Sequence, residues 1–263
     1  MVTKEDKIEE IIVEELPPAE VVLAEIKKSR VEKESWQPKT ELGKKVKSGE
    51  ITDIDEILDK GYRIMEAEIV DILVQNLETD LFSVGQSKGK FGGGKRSIWK
   101  QTQKKTKEGN KPKFATMALV GDKDGHVGIG YGKAKETVPA REKAIRAAKL
   151  NIIKIRRGCG SWACSCATPH SIPFKVTGKT GSTIVNYLPA PKGTHLAVEK
   201  EVRKLMEFAG IKDLYSKSRG QTRTKINLLD AAFKALKSLS STKIQHDYIK
   251  KSGLLEGSHK WIK

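Results

Sequence analysis

Residues 114–153 read FATMALVGDKDGHVGIGYGKAKETVPAREKAIRAAKLNII, and this stretch sets the architecture of the chain. Phe114 to Val120 alternates as a β-strand does, Gly121 to Gly125 has the composition of a turn, and His126 to Tyr131 continues as a second strand. Apolar residues then recur at helical spacing, with Pro139 in the first helical turn. The pattern predicts an antiparallel hairpin followed by one helix.

Residues upstream of the hairpin extend this pattern. Arg96 to Lys104 is predicted to form a strand, and Ile69 to Leu77 a helix before it. The order of three strands and a helix resembles a double-stranded-RNA-binding domain.

Downstream, strands and helices alternate again. Lys175 to Thr177 and Thr183 to Leu188 are predicted strands, Leu196 to Ala209 a helix, and Asn227 the cap of a last helix. This alternation predicts a compact second α+β unit.

Composition divides the chain into six segments, and the fold class is α+β with two small cores. These segments are an acidic mobile tail (1–34), a helical arm (35–87), a double-stranded-RNA-binding-like domain with a basic Gly-rich segment (88–157), a Cys-rich linker (158–171), a C-terminal α+β domain (172–242) and a second tail (243–263).

Positive charge is concentrated in the body of the chain. The net charge is +17, residues 1–34 contribute −4, and the remainder therefore carries +21. Between Lys88 and Lys113 ten basic residues accompany one acid, Glu108, with Phe91 and Trp99 among them. Like charges at this density repel unless a polyanion neutralises them, and aromatic rings can stack on bases. The run predicts nucleic-acid binding, and a flexible basic loop without a partner is the alternative.

The predicted RNA-binding set contains this run and four later basic residues. Its members are Lys88, Lys90, Lys95, Arg96, Lys100, Lys104, Lys105, Lys107, Lys111, Lys113, Lys133, Lys135, Arg156 and Arg157. Lysines act on phosphates as point charges, so their predominance favours recognition of RNA shape over base identity, with affinity that falls steeply with salt.

The three cysteines and one histidine lie close together in the sequence. Cys159, Cys164, Cys166 and His170 fall within twelve residues. Three thiolates and an imidazole can hold Zn²⁺ tetrahedrally and fix an irregular loop, so a structural zinc ion is the one candidate cofactor and none is required otherwise. Three free thiols in an RNA-covered loop are the alternative. The odd count argues against a disulfide framework and for a reducing, cytoplasmic setting.

Other motifs fail as catalytic signatures. Gly178-Lys179-Thr180 lacks the upstream glycine of a phosphate loop, where Pro173 stands instead. Gly128 to Gly132 lacks dinucleotide spacing, so its glycines are predicted to permit close RNA approach or a bulge. No carboxylate pair or nucleophile with a base is evident, and no stretch has the apolarity of a signal peptide or membrane span, so we expect neither an enzyme nor a membrane protein.

Long blocks of the chain resemble one family, the universal small-subunit ribosomal protein five, in its archaeal and eukaryotic branch. The first block is residues 114–153, the second begins FKVTGKTGSTIVNYLPAPKGTHL at Phe174, and a third begins AGIKDLYSKSRGQTRTKINLL at Ala209. The arm at Trp36, WQPKTELGKKVKSGEI, and the RRG at Arg156 are similar to that branch, and the cysteine cluster resembles archaeal members.

The resemblance implies a double-stranded-RNA-binding-like N-terminal domain, a βαβ-type C-terminal domain and a structural role in the small ribosomal subunit, in the cytoplasm. It further implies ribosomal RNA as ligand, a place near the messenger RNA entry channel, a contribution to decoding accuracy, and small-subunit proteins four and eight as neighbours, with no homo-oligomer. The RNA-touching hairpin loop of the family falls on residues 105–113. A free-standing RNA-binding module or RNA chaperone is the main alternative, and a metal-dependent nuclease a more distant one.

Overall fold

The structure is a computed structural model that describes residues 36–74, 76–87 and 96–258. The predicted acidic tail, residues 1–34, lies outside the described residues. Among the helices of the described part, none combines the length and apolarity that crossing a bilayer requires.

Three short helices form the N-terminal arm: α1 (Glu41–Ser48), α2 (Ile54–Asp59) and α3 (Ala67–Leu73). The side chain of Thr40 caps α1 by accepting from Gly43 N at 3.1 Å. The apolar faces of the three helices pack in one cluster that reaches the body through Ile152. The last helix ends four residues before the predicted Leu77, and a strand follows it.

The first sheet is antiparallel and has five strands: β1 (Glu78–Leu81), β2 (Lys100–Thr106), β3 (Gly109–Gly121), β4 (His126–Ala134) and β5 (Ile152–Lys154). The helix α4 (Thr137–Leu150) packs on β3 and β4. The predicted hairpin and helix are confirmed. β1 and β5 were not predicted, and β2 begins four residues after the predicted Arg96, since short or uniformly polar strands carry little alternation.

The glycines of β4 bring α4 close to the sheet. A Cβ atom at Gly130 would lie 2.1 Å from Ala148 N, and one at Gly132 would lie 2.2 Å from Ala140 O. The residues of α4 at this contact are alanines that are fully buried. The interpretation of these glycines as sites of RNA approach is therefore wrong, because the helix backbone already occupies that space.

The second sheet has the strand order β7-β8-β10-β9, from β7 (Val176–Thr180), β8 (Thr183–Pro189), β9 (Leu196–Ala197) and β10 (Leu214–Arg219). β9 and β10 are parallel and are joined by α5 (Lys200–Phe208), which makes the expected βαβ unit. The helix α6 (Lys225–Ser241) packs on β7 and β8.

Two helix starts in this unit differ from the sequence prediction. α5 begins at Lys200 rather than Leu196, because the Glu199 side chain accepts from Glu201 N and Val202 N. α6 begins before Asn227, which lies inside the helix and not at its cap.

The segment set apart as a second tail contains regular structure. It forms α7 (His246–Ser252) and β11 (Leu255–Glu256), and β11 pairs antiparallel with β6 (Arg156–Arg157). Residues 255–256 are therefore joined to the body by a short antiparallel ladder.

The largest apolar cluster joins the two sheets. Met117 and Leu119 of the first sheet belong to the same cluster as Val185 and Tyr187 of the second sheet and Leu205 of α5. The expectation of two separate small cores is wrong for the described residues, because one face of the first sheet is buried by the C-terminal half.

Candidate nucleic-acid interface

A two-stranded ribbon, residues 100–113, projects from the first sheet. β4 ends at Ala134, opposite Phe114, so β3 residues 109–113 pair with β2 alone. Apart from half-buried Thr106, the side chains from Lys100 to Lys113 are exposed. Gly109 closes the turn with a φ of 115° that favours glycine. A ribbon without a buried face gains little from folding alone, and it has the form of an arm that contacts a partner.

The strand register gathers lysines on one side of the ribbon. Lys104 lies directly opposite Lys111, Thr102 opposite Lys113, and Lys100 opposite Ala115. Side chains alternate along a strand, so four lysines share a face, whereas Lys105 lies on the other face opposite Asn110. Directly opposite residues have Cβ atoms about 4.5–5.5 Å apart, where like charges are destabilising.

This face continues onto the body of the sheet. Lys133 of β4 lies opposite Ala115, and Tyr131 lies opposite Met117, so both fall on the ribbon's lysine-bearing side. We call Lys100, Lys104, Lys111, Lys113 and Lys133 the lysine face. Tyr131 is 45% exposed beside it and provides an aromatic ring on which a base can stack. The sequence prediction missed Tyr131, although strand alternation alone placed it on the same side as Lys133.

The other predicted RNA-binding residues lie around this face. Lys105, Lys107 and Lys135 are exposed, and Arg96 is half-buried and bridges to Ser87 through its backbone. Lys88, Lys90 and Lys95 lie outside the described residues. Among the described residues, the lysine face forms one ion pair, between Lys111 and Glu108 at 2.9 Å, and exposed pairs of this kind contribute little.

The last two residues of the predicted set turn inward. Arg157 is 5% exposed and donates from Nη2 to Asp124 Oδ1 at 2.8 Å and to Gly257 O at 3.0 Å. Arg156 donates to the carbonyls of Leu239 and Thr242 and pairs with Glu256. Both guanidinium groups contact the C-terminal segment. Burial leaves Arg157 without access to a phosphate, whereas RNA contact by half-buried Arg156 stays a prediction.

The cysteine and histidine side chains converge, as their spacing predicted. The ligand atoms of Cys159, Cys164, Cys166 and His170 all lie within 4.8 Å of one another. Cys159 and His170 are buried, and the other two are half-buried. A hydrogen bond with the Thr168 hydroxyl lowers the pKa of Cys166 to about 6, whereas burial raises the pKa of Cys159. We call this group the Cys/His cluster.

Comparison with known families matches both halves of the chain. Residues 98–156 match the family described as ribosomal protein S5, N-terminal domain, and residues 178–250 match ribosomal protein S5, C-terminal domain. The lysine face lies within the first match, and the Cys/His cluster lies between the two.

Individual relatives are similar over most of the chain. The protein named small ribosomal subunit protein uS5 from Nanoarchaeum equitans is 52% identical over 225 residues, which cover 86% of this chain and 96% of the relative. The protein of the same name from Methanocaldococcus jannaschii is 46% identical, covering 85% and 96%. That from Pyrobaculum aerophilum is 44% identical, covering 80% and 89%.

Proposed function

The chain belongs to the ribosomal protein S5 family, as its sequence blocks predicted, and on this premise we propose that the lysine face binds ribosomal RNA in the small ribosomal subunit. The protein is then a structural, non-enzymatic component of the ribosome in the cytoplasm. The observation that carries the proposal is the register that sets Lys104 against Lys111 on an exposed ribbon.

The chemistry of the lysine face suits a phosphate backbone. Lysines neutralise phosphates and release condensed counterions, which supplies affinity without reading sequence. The ribbon is narrow, and its other face carries the neutral side chains of Gln101 and Gln103 beside Lys105, so it fits a groove of folded RNA recognised by shape.

The finer functional expectations are part of the proposal. We propose that the protein lies near the messenger RNA entry channel, contributes to decoding accuracy and contacts small-subunit proteins four and eight. Their support is the family resemblance of the long sequence blocks.

We propose a structural zinc ion, not a cofactor for RNA contact, for the Cys/His cluster. Three thiolates and an imidazole fill all four positions of a tetrahedral site, which leaves no open position for substrate. RNA binding by the lysine face needs no further group.

The test is a salt titration of RNA binding by full-length protein. Replacing Lys104, Lys111 and Lys113 together by Gln should weaken binding to small-subunit ribosomal RNA and flatten the plot of log affinity against log salt by up to about three units. The change removes three phosphate contacts and leaves the apolar core untouched.

The matched control removes the same charge from the arm. Lys44, Lys45 and Lys60 are exposed there, and their triple replacement by Gln should leave the slope near that of the wild type. If both triple variants lose RNA affinity equally, net charge alone explains the loss, and the assignment of RNA binding to the lysine face is overturned. Sedimentation of the tagged protein outside small subunits at low salt would instead favour a free-standing RNA-binding module.

A further inference from the structure

A buried aspartate lies directly behind the Cys/His cluster. Asp213 Oδ2 is 2.9 Å from His170 Nδ1, and both side chains are 5% exposed. The other ring nitrogen, His170 Nε2, is 3.9 Å from Cys164 Sγ. The imidazole therefore bridges the carboxylate and the thiols, with one nitrogen on each side.

The ligand spacing suits a tetrahedral zinc ion. Zn–S bonds of about 2.3 Å place ligand atoms about 3.8 Å apart. The ligand atoms of the Cys/His cluster lie within 4.8 Å of one another, and Cys164 Sγ is 3.9 Å from His170 Nε2. Soft thiolates with an imidazole select zinc over calcium or magnesium, which require oxygen ligands.

Asp213 is itself held firmly in place. Its second oxygen, Oδ1, accepts from Gly193 N at 3.1 Å and from His195 N at 2.8 Å. The backbone N–H groups of Lys212 and Asp213 both donate to His170 O, at 2.9 and 3.1 Å. Both oxygens of the carboxylate thus have hydrogen-bond donors as partners, and the carboxylate has a fixed position relative to the imidazole.

We infer that Asp213 is a positioning residue of a structural zinc site formed by Cys159, Cys164, Cys166 and His170; this inference rests on the proposed zinc. The carboxylate accepts a hydrogen bond from Nδ1–H, which fixes the tautomer that presents Nε2 to the metal. The sequence separation of 43 residues makes Asp213 a link from the zinc loop to the βαβ unit, since it directly precedes β10.

The same metal would fix the docking of the C-terminal segment. Cys159 N donates to Ser252 O at 2.8 Å, and a Cβ atom at Gly253 would lie 1.8 Å from Ala167 O. The end of α7 therefore packs closely against the loop that carries the ligands. Residues 159–170 contain no helix, and a closed metal site supplies the order that regular structure does not.

The first measurement is metal content and affinity of the full-length protein purified under reducing conditions. We expect about one zinc per chain, and a weaker, altered site in Cys166→Ser. Asp213→Asn should retain the stoichiometry but lower zinc affinity in chelator competition by roughly 10- to 100-fold. Asp80→Asn, at an aspartate paired with Lys204, is the matched control and should bind zinc as the wild type does.

Two spectroscopic readouts separate positioning from general folding. Cobalt in place of zinc should give the visible bands of a tetrahedral thiolate site, and Asp213→Asn should shift them. In the wild type, ¹⁵N shifts of His170 should report a protonated Nδ1, which tests the role of Asp213 even if the variant does not fold.

The possible results test the zinc ion and the role of Asp213 separately. Wild-type protein without zinc would overturn the zinc proposal and this inference together. Zinc-loaded protein in which Asp213→Asn binds metal as tightly as wild type, or in which Nδ1 is unprotonated, would overturn the role of Asp213 alone. Neither result depends on RNA binding by the lysine face.

Discussion

His126 joins the N-terminal arm to the hairpin through a buried charge network. Its Nδ1 lies 2.6 Å from Asp122 Oδ2, and its Nε2 lies 2.9 Å from Asp55 Oδ1 in the arm. Burial lowers the pKa of His126, but the hydrogen bonds to the two carboxylates outweigh it and raise the pKa to about 9. The imidazolium is therefore the stable form at neutral pH, a double donor between two acceptors.

This histidine should make stability depend on pH in the alkaline direction. Its pKa rises from 6.5 to about 9 on folding, so between these values the folded state binds more protons and the free energy of unfolding falls as pH rises. The stabilisation that His126 gives to the folded state is fully present below about pH 6.5. We expect a loss of at most about 3 kcal/mol by pH 9, at about 1.4 kcal/mol per pKa unit.

Urea unfolding of the wild type and of His126→Gln from pH 6 to 9 measures the contribution of His126 to the pH dependence of stability. Other groups also ionise in this pH range, so the difference between the two proteins isolates the contribution of His126. His195→Gln, at an exposed histidine, is the control and should keep the wild-type profile. If the free energy of unfolding of His126→Gln depends on pH as steeply as that of the wild type, the raised pKa of His126 is contradicted.

The ribbon formed by β2 and β3 contains like charges that destabilise it in the free protein. Lys104 and Lys111 face each other across its two strands, and none of the residues that the structure describes buries either side. Such a pair is costly in the free protein and favourable once a phosphate lies between the ammonium groups. The conflict between local stability and charge is itself a mark of a binding element.

Reversing one of these charges should stabilise the free ribbon. Lys104→Glu places opposite charges across the strands, which should stabilise the ribbon by about 0.2–1 kcal/mol and slow amide hydrogen exchange of residues 100–113 by up to about fivefold. The same variant should bind ribosomal RNA more weakly.

Lys105→Glu makes the same charge change on the opposite face of the ribbon, across from Asn110. It should leave the exchange rates near those of the wild type. Equal slowing in both variants would show that net charge, and not the register of the two lysines, governs the stability of the ribbon.

The molecule as a whole depends on one face of the first sheet being covered by the C-terminal half. Met117, Leu119, Val127 and Ile129 alternate with the residues that face α4 and are buried in the cluster that contains α5 and α6 side chains. A sheet with apolar residues on both faces needs a layer on each side.

The N-terminal half alone should therefore not fold cooperatively. A fragment of residues 36–157 exposes this apolar face, and we expect aggregation, dye binding and no sharp urea transition, whereas residues 36–263 unfold in one step. Circular dichroism and tryptophan fluorescence monitored together provide the test. A soluble fragment with a cooperative transition would contradict this dependence of the N-terminal half on the C-terminal half.

Short-range patterns were enough for the elements that carry the family resemblance. Alternation, a Gly-rich turn and helical spacing predicted β3, β4 and α4, and the spacing of Cys159 to His170 predicted a cluster whose atoms do converge. These features involve residues within a few turns of one another, so the chain specifies them before distant segments meet.

Long-range contacts settled what those patterns left open. The charge of Arg157 alone predicted an RNA contact. Its guanidinium instead points inward and donates to the carbonyl of Gly257, which is 100 residues away in the sequence. The charged form of His126 is stabilised by Asp122 and by Asp55, the latter 71 residues away, and Asp213 contacts His170 across 43 residues. The sequence alone determines the side chains and the local spacing of apolar residues. Burial and hydrogen-bond partners depend on how distant elements pack, and burial and partners together determine the charge state and accessibility of a side chain.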